Sequence, residues 1–178
     1  MDTNYNPFTR LNTNNDIIYI QPSGDDLYSP ERIARQKARG PQRGDLWLAE
    51  EPTTDPTENN CEYVTILQVN NDNSATACPI SNDVRTYTDG TLQIVDTPLD
   101  QPMIAYPNLV SRIPTQRLYK PLKNFNEATI ATIESMSQHR TPINLDGFDN
   151  DFVCETVIDM IAHMLMWHYA YLESINTK

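Results

Sequence analysis

Tyr63-Val64-Thr65-Ile66-Leu67-Gln68-Val69 is followed by Asn70-Asn71-Asp72-Asn73 and then by Ala75-Thr76-Ala77-Cys78-Pro79-Ile80. The first run is rich in β-branched residues and reads as a strand. Asparagine and aspartate tolerate left-handed backbone angles, so the four residues after it form a tight turn. The chain then returns antiparallel over Ala75 to Ile80. This hairpin establishes a strand pattern for the middle of the chain.

Upstream, Leu46-Trp47-Leu48-Ala49 is a short apolar strand. The segment from Glu50 to Asn60 is polar, acidic and proline-bearing, and is expected to be an exposed loop. Downstream, weaker strands are expected at Thr91–Val95, Met103–Tyr106 and Leu109–Ile113, and Pro114 to Tyr119 reads as a single turn. Short strands at this spacing point to a barrel or a sandwich. Helices flank them. Ser29-Pro30-Glu31 opens one that runs to Arg39 and stops at Gly40-Pro41. Asn126 to Gln138 places Ile130, Ile133 and Met136 at helical spacing. A longer helix is expected from Asp149 to Ser174, its apolar face made by Val153, Val157, Ile158, Ile161, Leu165 and Met166. That face must bury against the barrel or a second chain. Ile17-Ile18-Tyr19-Ile20 is an apolar run that suits an edge strand, in surroundings that read as loop.

The 178 residues fit one domain with extensions. Residues 1–40 form an N-terminal extension with a basic helix, 41–140 the barrel and its helix, and 141–178 a C-terminal helix packing on the barrel or a dimer partner. Cys61, Cys78 and Cys154 are too scattered for a disulfide framework or a zinc site, and Cys78 and Cys154 read as small core residues. No basic start followed by an apolar run opens the chain, so the expected location is the cytoplasm. The most apolar stretch, Phe152 to Tyr171, carries Glu155, Asp159, His163 and His168, which suits an amphipathic helix better than a membrane span.

Net charge is −11, which argues against general affinity for phosphate backbones. The charge is uneven. Residues 1–45 hold six acidic and six basic groups, so the whole excess lies in residues 46–178. Arg32, Arg35, Lys37, Arg39 and Arg43 are packed into twelve positions, where any contact with single-stranded RNA would begin. The plainer reading is a solvated helix face that pairs with the acidic barrel.

Three stretches together resemble the MazF/PemK family of toxin endoribonucleases: Arg43-Gly44-Asp45-Leu46-Trp47, then Val64 to Asp72 with Ala75 to Ser81, then Met103 to Leu118 with Ser111-Arg112-Ile113 and Gln116-Arg117-Leu118. The similarity covers residues 41–140. It implies an α+β fold: a small SH3-like β-barrel, here with an N-terminal helix and two C-terminal helices. It also implies metal-independent cleavage of single-stranded RNA, without a cofactor, by a chain neutralised by an antitoxin or other protein partner. The wide apolar face of the C-terminal helix, read separately, suits a homodimer.

Such cleavage needs a base, a proton donor for the leaving oxygen, and positive charge near the phosphorane. The family's Arg-Pro pair at the start of the second strand falls here on Glu62 or Tyr63, so its cation is missing. Ser81 falls where the family's assisting hydroxyl stands. Arg43 and Arg85 are the candidate stand-ins, expected to flank one edge of the barrel. The plainer reading of Ser81-Asn82-Asp83 is a turn. These departures favour a catalytically degenerate member, or a non-catalytic protein-interaction module on the same barrel. Glu155, Asp159 and His163 recur every four residues, but the pattern reads as a polar stripe and no metal is expected.

Overall fold

The computed structural model describes residues 9–13, 16–20, 30–49, 62–97, 99–139, 141–148 and 150–176. The acidic loop expected over 50–60 and the Ser29 cap lie outside them, as does Cys61. Strands β1 (Thr9–Thr13) and β2 (Asp16–Ile20) pair antiparallel in a sheet of their own. Helix α1 (Pro30–Arg39) follows and ends at Gly40, whose φ of 78° suits a residue without a Cβ.

Seven strands make the main sheet: β3 (Asp45–Ala49), β4 (Glu62–Val69), β5 (Ser74–Ser81), β6 (Leu92–Ile94), β7 (Met103–Ala105), β8 (Ser111–Pro114) and β9 (Leu118–Asn124). Their order is β6-β7-β5-β4-β3-β9, with β8 also on β5, and every pairing is antiparallel. Helices α2 (Glu127–Ser137) and α3 (Asp151–Asn176) complete an α+β fold. The turn between β4 and β5 forms as its asparagines require, with Asn73 at φ 61°. Pro79 sits inside the central strand β5 without breaking it. Its carbonyl accepts the Tyr106 N–H at 3.1 Å, on the side where β5's neighbour changes from β8 to β7. The missing proline N–H falls in that gap, where no ladder bond is lost.

Both faces of the sheet are buried, which explains the unbroken apolar run in β3. Leu46 and Leu48 join Tyr63, Leu67, Cys78, Ile80 and Leu122 under Ile130 and Ile133 of α2. Trp47 and Ala49 point the other way and join Val64, Ile66, Ala77 and Ile113 under Met164 and Trp167 of α3. The N-terminal half of α3 seats Val157 and Met160 on Ile104 and Tyr106.

The buried face of α3 differs from the expected one. Val153, Val157, Met160, Met164, Trp167 and Tyr171 are buried, whereas Ile158, Leu165 and Met166 are exposed. The helix is apolar on two sides, and electrostatics favours burying one of them. Glu155 and Asp159 lie beside Ile158, and burying that side would strip two carboxylates of water. The other side carries no carboxylate, lysine or arginine of the helix. Strand β9 was hidden in the sequence by Pro121, and it survives because it lies at the end of the sheet path, where a missing donor is tolerated.

Candidate functional site

Ser81 ends β5 and closes a local turn. Its Oγ accepts the Asp83 N–H at 3.1 Å and faces the Asp83 carbonyl oxygen at 3.5 Å. Asp83 is buried and organises this corner. Its carboxylate accepts the Arg85 backbone N–H at 3.0 Å and takes the Arg85 guanidinium in a forked contact, with Nε at 2.9 Å and Nη2 at 2.6 Å. Hydrogen bonding to Asp83 raises the Arg85 pKa above its ordinary value. The far side of the guanidinium lies over Phe152 of α3, 6.0 Å from the ring centre. Ser81 and Arg85 therefore share one corner, joined by a carboxylate that occupies the cation.

Arg43 is elsewhere. The Gly44 N–H bonds the Ile66 carbonyl oxygen at 2.7 Å, whereas Ser81 follows Ile80, the partner of Tyr63. The two residues thus stand at opposite ends of β4, and the expected common edge for Arg43 and Arg85 does not form. The strands run antiparallel, so the start of β3 and the end of β5 fall at different ends of the strand between them. Arg43 Nη2 instead donates to Glu127 at 2.8 Å and Glu134 at 2.9 Å, both on α2.

Gly44 and Asp45 complete the Arg-Gly-Asp opening as a structural clasp. Gly44 takes φ 87°, and its carbonyl accepts the Phe125 N–H at 2.9 Å. The Asp45 carboxylate is buried and accepts the Gln42 N–H at 2.8 Å, Asn124 Nδ2 at 2.7 Å and the Arg39 guanidinium. Lys37 lies over the Tyr119 ring, 4.6 Å from its centre. Two cations of the basic helix are thus turned onto the sheet, holding α1 there although it buries no residue. Arg35 is exposed and Arg32 half-buried on the same helix.

Glu62, one of the two positions where the resemblance would place an arginine, meets α3. His163 Nδ1 lies 3.0 Å from its Oε1, and the imidazole stacks on Trp167 with ring centres 5.9 Å apart. Both side chains of the pair are mostly buried. A phosphate brought to this strand start would meet a carboxylate covered by a helix. His163 is turned to Glu62, away from a ligand set with Glu155 and Asp159. Among the described residues no group of three or more His, Cys, Asp or Glu side chains is placed to hold a metal ion. The chain was compared with protein-family models and with curated proteins. It matches none of them.

One polar cluster escaped the sequence reading. Tyr171 Oη donates to Asp72 Oδ2 at 3.0 Å, and Arg112 Nη1 donates to Tyr171 Oη at 2.6 Å. Ser74 Oγ donates to Asp72 Oδ1 at 2.5 Å. The Ser74 hydrogen bond is the main cause holding the Asp72 carboxyl below its ordinary value, against a smaller opposing effect of burial. In the sequence Asp72 carries only a turn signal, and its partner lies 99 residues away. The cluster clamps the end of α3 to the hairpin and offers no spare cation.

Proposed function

We propose that this chain is a non-catalytic protein-interaction module on an SH3-like barrel, divergent from the MazF/PemK toxins it resembles. The barrel reading is supported by the pairing of β3, first strand of the main sheet, with β9, its last, and by the 3₁₀ turn Thr115–Arg117 that joins β8 to β9. The functional reading is carried by one observation. Arg43 and Arg85, the two candidate cations for phosphorane charge, are each held by carboxylates and stand at opposite ends of β4. Compensated cations contribute little to binding a phosphate backbone, since affinity grows with the number of phosphates neutralised. Among the described residues no hydrogen bond joins the Ser81 hydroxyl to a carboxylate or imidazole; it is used in the turn with the Asp83 backbone.

Incubating the full chain with mixed single-stranded RNA, with and without EDTA, tests the reading. The expected result is intact RNA at high protein concentration. Site-specific ends that form in EDTA and vanish in Ser81→Ala would establish a metal-free ribonuclease and sink the proposal.

A further inference from the structure

Helix α3 presents to solvent the side opposite its buried seam. Ile158, Leu165, Met166 and Tyr169 are 46%, 53%, 56% and 64% exposed, and Ala162 is exposed between them. The steps from Ile158 to Ala162, Leu165 and Tyr169 are four, three and four residues, the spacing of a heptad seam. At ~1.5 Å per residue the stripe is about 17 Å long. Exposed carboxylates of Glu155 and Asp159 flank its first half, and α3 contains no lysine or arginine.

We infer that this stripe docks a basic amphipathic helix of a protein partner, which extends the interaction-module reading by naming its surface and the partner's chemistry. Heptad spacing suits a second helix, whose leucine-type side chains fill the gaps around Ala162. The partner's charge follows from the flanks. Carboxylates with no ion-pair partner among the described residues, beside an apolar seam, favour lysine or arginine on the incoming helix and repel acids. A second copy of this chain fits poorly. It brings the same two carboxylates and another net −11, and five of its 13 cations lie at residues 32–43, away from α3. Four large apolar side chains fall short of the ~20–30 residues a side of a stable interface, so the contact is transient, with charge speeding the encounter.

The test uses a synthetic peptide of roughly 18 residues, with leucine at the seam positions and lysine beside them. Its binding to the full chain is read by fluorescence anisotropy at two salt concentrations. Leu165→Asp and, separately, Tyr169→Asp are expected to weaken it about tenfold or more. Asp159→Lys should weaken it and reduce its salt dependence, and a peptide with glutamate for lysine should bind far less. Circular dichroism should show all three variants folded, since the altered side chains are exposed. Affinity unchanged in both aspartate variants, or equal binding of the glutamate peptide, would overturn the inference. So would a dimer in light scattering that Leu165→Asp dissociates, because a second copy would then own the stripe. A chain that cuts RNA yet holds the peptide through Leu165 would remove only the non-catalytic reading. One that cuts no RNA and binds equally after Leu165→Asp would remove only this inference.

Discussion

Asp45 carries a carboxylate at 2% exposure, and the backbone and side-chain donors around it make that burial tolerable. Replacing it removes the acceptor shared by the Gln42 N–H, the Asn124 amide and the Arg39 guanidinium. The Arg39 guanidinium is 35% exposed and stays hydrated, so Asp45→Ala is expected to cost about 1–3 kcal/mol, read as a lower urea midpoint at unchanged slope. Gly44→Ala acts by a separate route: a Cβ at φ 87° is strained and meets the Phe125 carbonyl oxygen at 3.4 Å. A loss of about 1–2 kcal/mol is expected there. Cys78 gives a third test at this scale. Burial pushes its thiol up to about 12, so at neutral pH it is both inaccessible and protonated. A maleimide should label Cys154, which is half-buried on α3, well before Cys78, which should react only on unfolding. Labelling of Cys78 in the native chain at the Cys154 rate would contradict this packing.

Elements show how far the sequence could be read. The β4–β5 hairpin was legible because strand propensity, turn residues and antiparallel return agree within 20 consecutive residues. Helix α2 was legible for the same local reason, with Asn126 Oδ1 accepting the Thr129 N–H at 2.8 Å as its cap. The rotation of α3 was not, because two apolar sides compete and the choice depends on a sheet face assembled from five strands. Nor was the place of Arg43, which follows from strand direction and not from spacing. Trp167 sits at the centre of the observed seam, so Trp167→Ala should cost about 3–5 kcal/mol, against ~0.5 kcal/mol or less for Leu165→Ala on the solvent side. Equal losses would mean that α3 is rotated from its described position. At its far end α3 is held by Tyr171 to Asp72, whose pKa is lowered from 3.8 in the folded chain. A depressed carboxyl stabilises the fold fully above its unfolded value. That contribution is lost as pH falls through the folded one. Ser74→Ala removes the main cause, so the drop in urea midpoint between about pH 6 and about pH 3 should become shallower than in the unaltered chain.

At the scale of the whole molecule, the question is whether residues 41–140 are a domain to which α3 is added. The described packing argues that they are not. Trp47, Val64, Ile66 and Ile113 are almost wholly buried, and α3 supplies Met164 and Trp167 against them. At ~1.5–3 kcal/mol for each large apolar side chain, this face is worth on the order of 10 kcal/mol. A complete domain of this size retains only ~5–15 kcal/mol of net stability. Removing α3 also strips Glu62 of His163 and takes the Tyr171 hydroxyl from Asp72, which keeps Ser74. A chain ending at residue 140 is therefore expected to lack cooperative unfolding and to bind a hydrophobic dye such as ANS. The full chain should melt in one transition seen alike by tryptophan fluorescence and far-UV circular dichroism. Adding residues 141–178 in trans should restore that transition in proportion to their concentration, because the missing face is rebuilt by association. A shortened chain that melts cooperatively near the temperature of the full one would show that the sheet and α2 suffice. The α3 seam would then be a docking contact, and the stripe on its far side would have to be sought on a helix that leaves the sheet.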